Sequence, residues 1–118
     1  MTINGRGVNF FNKKQDQKTF SSDKALIKVF GKEQARKITQ RLSEIQAADN
    51  LEILRTLPQA RVHELAGNRK VQISLDVKQP YRLIVLPDHE DGPLKKDGGL
   101  NWKKITKVKI LGIEDTHE

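Results

Sequence analysis

Three groups of residues in this chain have the types and positions to hold a phosphate backbone and move protons beside it. They are Arg82 within Pro80-Tyr81-Arg82-Leu83-Ile84-Val85, the pair Arg69-Lys70, and the terminal Asp115-Thr116-His117. Each places charge at the edge of segments that otherwise read as apolar strand. A guanidinium can grip two phosphate oxygens at once, and an arginine inside an apolar strand needs a reason to be there. The plain alternative for Arg82 is a structural pairing with a nearby carboxylate. His117 suits proton transfer because histidine titrates near neutral pH without special tuning, and Asp115 could orient its ring. A penultimate residue is otherwise often frayed. Arg69 and Lys70 follow a turn, where such a pair is commonly a solvated corner.

The elements that must position these residues follow from the pattern. Val8 to Phe11 reads as a first strand. Ser21 or Ser22 can cap a helix reaching Phe30, with Ala25, Leu26, Val29 and Phe30 as its apolar stripe and Gly31 as its stop. Ala35, Ile38, Leu42 and Ile45 recur at spacings of three and four, predicting a helix from about Lys32 to Ala48 whose opposite side carries Arg36, Lys37, Gln40, Arg41 and Glu44. Asp49 or Asn50 can cap a helical turn over Leu51 to Leu54, ended by Pro58. Val62 to Leu65 reads as a strand. Val71, Ile73, Leu75 and Val77 alternate with Gln72, Ser74, Asp76 and Lys78, the pattern of a half-buried strand. Tyr81 to Leu86 is apolar on both faces apart from Arg82, as in a central strand. Pro87 to Asn101 reads as a long surface loop, with Trp102 anchoring its end, and Lys107 to Ile113 as the last strand. The order predicts one α+β domain over 1–118: an N-terminal helix hairpin packed on one face of a mainly antiparallel four- to five-stranded sheet, the other face left available.

The 118 residues carry a net charge of +7, which favours a polyanionic partner such as a nucleic acid or an acidic protein segment. The excess is spread along the chain rather than gathered in a tail. Without cysteine there is no disulfide or thiolate metal site, and His63, His89 and His117 lack metal-ligand spacing, so neither a metal nor another cofactor is expected. No apolar run approaches the roughly 20 residues that span a bilayer, and the expectation is a cytoplasmic protein with no membrane contact.

Leu42 with Asn50-Leu51, Leu57 through Leu65, Gly67-Asn68-Arg69-Lys70, Pro80 through Ile84, and Ile113 through His117 together resemble the HigB-like branch of the RelE/ParE toxins. The resemblance runs from about residue 21 to the end and rests on the joint order of the pieces. It implies the toxin of a type II toxin-antitoxin pair, typically a ribosome-associated endoribonuclease that cleaves mRNA without a metal. Its partner would be a small antitoxin, commonly a helix-turn-helix DNA-binding protein. Such cleavage needs a base for the 2′-hydroxyl proton, a cation facing the phosphate, and an acid for the departing 5′-oxygen. On this reading Arg82, Lys70 and His117 are the catalytic candidates. Arg69, Lys70, Tyr81, Arg82, His63 and Asp115 are the RNA-binding ones, with a structural hydrogen bond as the plainer role for His63. Arg36, Lys37 and Arg41 would anchor the antitoxin's acidic residues. Two positions depart from the family pattern: Val71 stands where glycine is common, and Thr116 where relatives usually carry tyrosine. The second keeps open a non-catalytic toxin on the same fold, for example a gyrase inhibitor.

Overall fold

Helix formation begins where the sequence offers a cap. The computed structural model describes residues 19–20, 22–66, 71–88 and 99–115, so the expected strand at 8–11 lies outside them. Helix α1 spans Asp23–Phe30, and the Ser22 hydroxyl accepts from the Ala25 amide at its N-terminus. Leu26 is buried and the Phe30 ring lies 6.0 Å from that of Phe20, but Val29 stays 59% exposed and is not part of the inward stripe. Gly31 ends α1 and begins α2, Lys32–Ala47, at φ 84° and ψ 162°. Only glycine adopts that region without strain. The chain therefore reverses in one residue, and α1 and α2 pack against each other.

Ala35, Ile38, Leu42 and Ile45 are all buried on α2, as their spacing predicts. Arg41 is a correction to the expected surface: it is 3% exposed and belongs to the inward side. Its spacing explains why, since Gln34, Ile38, Arg41 and Ile45 continue a stripe at i, i+4, i+7 and i+11. The guanidinium is fully used. Nε donates to the Asp76 carbonyl at 2.6 Å, Nη2 to the Gln59 carbonyl at 2.9 Å and Nη1 to Glu44 at 2.9 Å. An arginine buried this way is a strut, and it is unavailable to a partner.

Helix α3, Leu51–Arg55, is capped by the Asn50 side chain, which accepts from the Ile53 amide. A 3-10 turn at Pro58–Ala60 leads into β1, His63–Glu64, shorter than the strand expected over 62–65. Strands β2 (Ile73–Asp76), β3 (Tyr81–Pro87) and β4 (Val108–Asp115) complete an antiparallel sheet of order β1-β2-β3-β4. The fold is thus α+β, with the helices preceding and packing on the sheet as expected. Ile38, Ile45, Leu51, Leu54, Ile73, Leu75, Leu83 and Val85 share one core between helices and sheet, all with no exposed surface. Trp102, partly buried, packs against that core with the Arg55 guanidinium 4.4 Å above its ring, which is the anchoring role its position suggested.

The start of α2 is tied to the β2–β3 turn by side chains. Gln34 accepts from the Lys78 amide at 2.8 Å and donates to the Lys78 carbonyl at 3.3 Å. Lys78 also donates to Glu33 at 2.8 Å, and this hydrogen bond, with the ammonium's charge, holds the Glu33 carboxyl below its usual range. The contribution of this exposed pair is complete above the ordinary carboxylate pKa and is lost as pH falls through the lowered value.

Two substitutions test this framework by urea unfolding. An added Cβ at Gly31 meets nothing within 4 Å, so Gly31→Ala is resisted only by backbone conformation and should cost about 1–3 kcal/mol. Arg41→Met strands two backbone carbonyls and the Glu44 carboxylate, and should cost roughly 3 kcal/mol.

Candidate functional site

Antiparallel register decides which side chains share a face, because directly opposed residues point the same way and neighbours along a strand point oppositely. Asp76 opposes Arg82, Ser74 opposes Ile84, and His63 opposes Ser74. Across β4, Glu114 opposes Arg82 and Gly112 opposes Ile84. One sheet face therefore carries His63, Ser74, Asp76, Arg82 and Glu114. The other carries Ile73, Leu75, Leu83 and Val85, which belong to the helix-side core. An irregularity between Ile84 and Val85 lets β4 keep both sets in phase past Gly112.

The polar face is less open than expected. Ser74 and Ile84 have no exposed surface, Asp76 has 6% and Arg82 has 9%. The pattern of alternation was therefore right, but both sides of β2 are covered. Burial makes the pairing of Asp76 and Arg82 consequential: Nε of Arg82 lies 3.7 Å from Oδ1 of Asp76. This is the carboxylate that a structural arginine would need, yet the separation is too long for a hydrogen bond. Both atoms, with the Ser74 hydroxyl, are buried without a hydrogen-bond partner. The other Asp76 oxygen accepts from the Gln79 side-chain Nε2 at 3.0 Å and lies 3.6 Å from the Arg61 guanidinium. One buried carboxylate thus stands between two arginines.

His63 joins this group through the chain. Its Nδ1 lies 3.1 Å from the Arg61 carbonyl, the structural hydrogen bond expected of it, and this contact fixes the ring beside Arg61. Arg61 and Asp76 were missing from the sequence-derived site. Asp76 reads there as the solvent side of an alternating strand, and the register with Arg82 is visible only once the turn at 77–80 is folded.

The structure brings Arg82 and His63 to one face and separates Tyr81 and Asp115 from them. Those two oppose each other on the helix side of the sheet. Tyr81, 45% exposed, lines a cleft of about 650 Å³ between the α1–α2 junction and the start of β3, with Phe30, Gln34 and Ile113. Tyr81 and Asp115 cannot extend a surface centred on Arg82, because strand neighbours diverge to opposite faces. Arg69, Lys70, Thr116 and His117 lie outside the described residues. Val71, just inside them, has φ 71°, a conformation that strains a β-branched residue and suits the glycine that the resemblance leads one to expect there. On the helix side, Arg36 is exposed and Lys37 half-buried, unlike Arg41.

Among protein families, the model of the HigB-like toxin, described as the RelE-like toxin of the type II toxin-antitoxin system HigB, matches residues 9–93. The chain belongs to this family, whose members are the toxin halves of two-protein systems and have an antitoxin as partner. The match takes in β1 to β3 with Arg61, His63, Asp76 and Arg82, and stops before β4. No curated protein and no solved structure gives a significant match. Among the described residues no helix is long and apolar enough to cross a membrane.

If the carboxylate between the arginines holds the site together, Asp76 and Arg82 are energetically coupled. A double-mutant cycle of Asp76→Asn and Arg82→Gln, read by urea unfolding near pH 7, should give a coupling of about 1–3 kcal/mol.

Proposed function

We propose that this toxin is an endoribonuclease that cleaves mRNA on the translating ribosome, using side chains rather than a metal ion. The observation that supports it most is the placement of Arg82, in a chain of the HigB-like family, on a sheet face beside His63 and Arg61. Arg82 faces the charge that grows on the phosphate as the 2′-oxygen attacks. It is held by packing within β3, and its long contact to Asp76 leaves its donors available to a phosphate. Lys70 adds a second cation and Arg69 holds the backbone nearby. His117 carries a proton, either from the 2′-hydroxyl or to the departing 5′-oxygen. Removing charge stabilisation or a general acid-base group costs roughly a hundredfold or more.

The antitoxin, a small protein that we propose to be of the helix-turn-helix DNA-binding kind, binds through acidic residues at Arg36 and Lys37. A shallow depression of about 240 Å³ lined by Ile27, Ala35 and Arg36, with Lys32 and Asp23 at its edge, offers a seat for an apolar side chain next to Arg36. Arg41 is excluded from this surface by its burial.

Two experiments test these readings. Induced expression should arrest growth and produce new cuts inside translated mRNAs, mapped by primer extension, and the pair of substitutions Arg82→Ala and His117→Ala should abolish both. Arrest that persists without RNA cuts, accompanied by lost gyrase supercoiling, would establish the non-catalytic alternative instead. Charge reversal at Arg36 and Lys37 should slow association with the antitoxin and flatten its salt dependence in stopped-flow measurements. Unchanged association rates would move the antitoxin to another face.

A further inference from the structure

Arg61 occupies a backbone conformation that its side chain makes costly. It follows the 3-10 turn at φ 44° and ψ 54°, the left-handed region that glycine and asparagine enter readily and arginine does not. As the cap of that turn its amide donates to the Pro58 carbonyl at 3.3 Å, which offsets part of the cost, but the side chain recovers little more: it is 65% exposed and its contact with Asp76, at 3.6 Å, is a loose ion pair at the rim. Strained residues of this kind persist where the side chain is needed in that place.

The place is defined by the other groups present. Asp76, its side chain 8% exposed, has Arg82 at 3.7 Å from one oxygen and Arg61 at 3.6 Å from the other, with the Gln79 side-chain Nε2 donating at 3.0 Å. Two guanidiniums on one carboxylate leave a positive excess among the three groups. Glu114 stands directly opposite Arg82 across β4. Neither arginine is hydrogen-bonded to Asp76, and Nε of Arg82 is buried without a partner. Donors in this state gain most from an anion that reaches them.

From this geometry we infer that Arg61 is a phosphate-binding residue, forming with Arg82 a two-arginine clamp on the RNA backbone that Asp76 holds apart and in register. Arg82 is the inner, fixed member. Arg61 is the outer member, free to swing from Asp76 to a phosphodiester at the rim, and its carbonyl sets the His63 ring beside the same strand of RNA. The inference rests on the proposed RNA-cleaving function but assigns a contact which that reading does not require.

The unusual backbone provides a clean test. Glycine at 61 relieves the strain and loses only an exposed ion pair, so Arg61→Gly should leave the urea midpoint unchanged or raise it. The purified full-length chain and its variants are titrated with a fluorescent 2′-O-methyl RNA 12-mer, which lacks the 2′-hydroxyl that cleavage needs, across a range of salt. Arg61→Gly should weaken binding roughly tenfold and flatten the dependence of log affinity on log salt by about 0.7, the signature of one lost single-strand phosphate contact. Arg61→Asn, also tolerant of the left-handed region, should behave alike and guards against an effect peculiar to glycine. Affinity and slope equal to wild type in either variant would overturn the assignment. If Arg82→Gln weakens binding while Arg61→Gly does not, only the clamp is wrong. If the wild type itself fails to bind the oligonucleotide, the clamp is wrong, while the RNA-cleaving reading falls only if induced expression produces no cuts in translated mRNAs.

Discussion

Asp76 is where the interior of this protein and its candidate reactive face meet. Its main-chain carbonyl is held from the helix side by Arg41, at 2.6 Å, while its carboxylate stands on the opposite side between Arg61 and Arg82. Among the described residues β1 pairs with Ile73 and Ser74 and no strand flanks the Asp76 end of β2 on that side, where side chains secure it. A buried charge is tolerated only when opposite charge stands near it, and here the two arginines flank the carboxylate at ion-pair distance without hydrogen-bonding to it. The site is therefore an extension of the fold's own electrostatics.

The helices supply the rigidity that this arrangement needs. Gly31 lets α1 and α2 turn on a single residue, and Gln34 then grips both main-chain polar groups of Lys78 at the β2–β3 turn. Arg41 braces β2 two turns further along the same helix. Through these two contacts the long helix fixes the Asp76 end and the middle of the connection between Asp76 and Arg82. A phosphate-binding arginine is useful in proportion to how little it must be reorganised on binding, and packing rather than hydrogen bonding keeps Arg82 in place.

Much of this was legible in the sequence. The α2 stripe, the cap at Ser22, the central apolar strand with its lone arginine and the α+β order all follow from spacing and residue type. Arg41 was legible too, since its positions relative to Ile38 and Ile45 put it on the core face, but its charge argued for solvent and the charge was given more weight. Tyr81 and Arg82 are adjacent in sequence, yet the strand turns their side chains to opposite faces, which residue order alone does not display. Arg61 and Asp76 could not be found without the register, because the contact between residues 61, 76 and 82 depends on two turns whose geometry no local pattern specifies. The left-handed backbone at Arg61 leaves no mark on residue type at all. At Val71 the mark was present as a missing glycine, and the positive φ supplies its meaning.

The division of β3 between two faces also limits how this protein can change over time. Arg82 points to the polar face and Tyr81 to the helix-side cleft solely because of their parity along the strand, and that parity is set by the turn at 77–80. Loss or gain of a single residue in that turn would exchange the two, delivering an aromatic ring to Asp76 and a guanidinium to the helix-side cleft. Substitution at the exposed Lys78 or Pro80 leaves that parity intact and Gln79 is tied by its side-chain amide to Asp76, whereas the number of residues between Asp76 and Arg82 decides which face each side chain reaches. A change of length at this point would require both surfaces to be rebuilt at once.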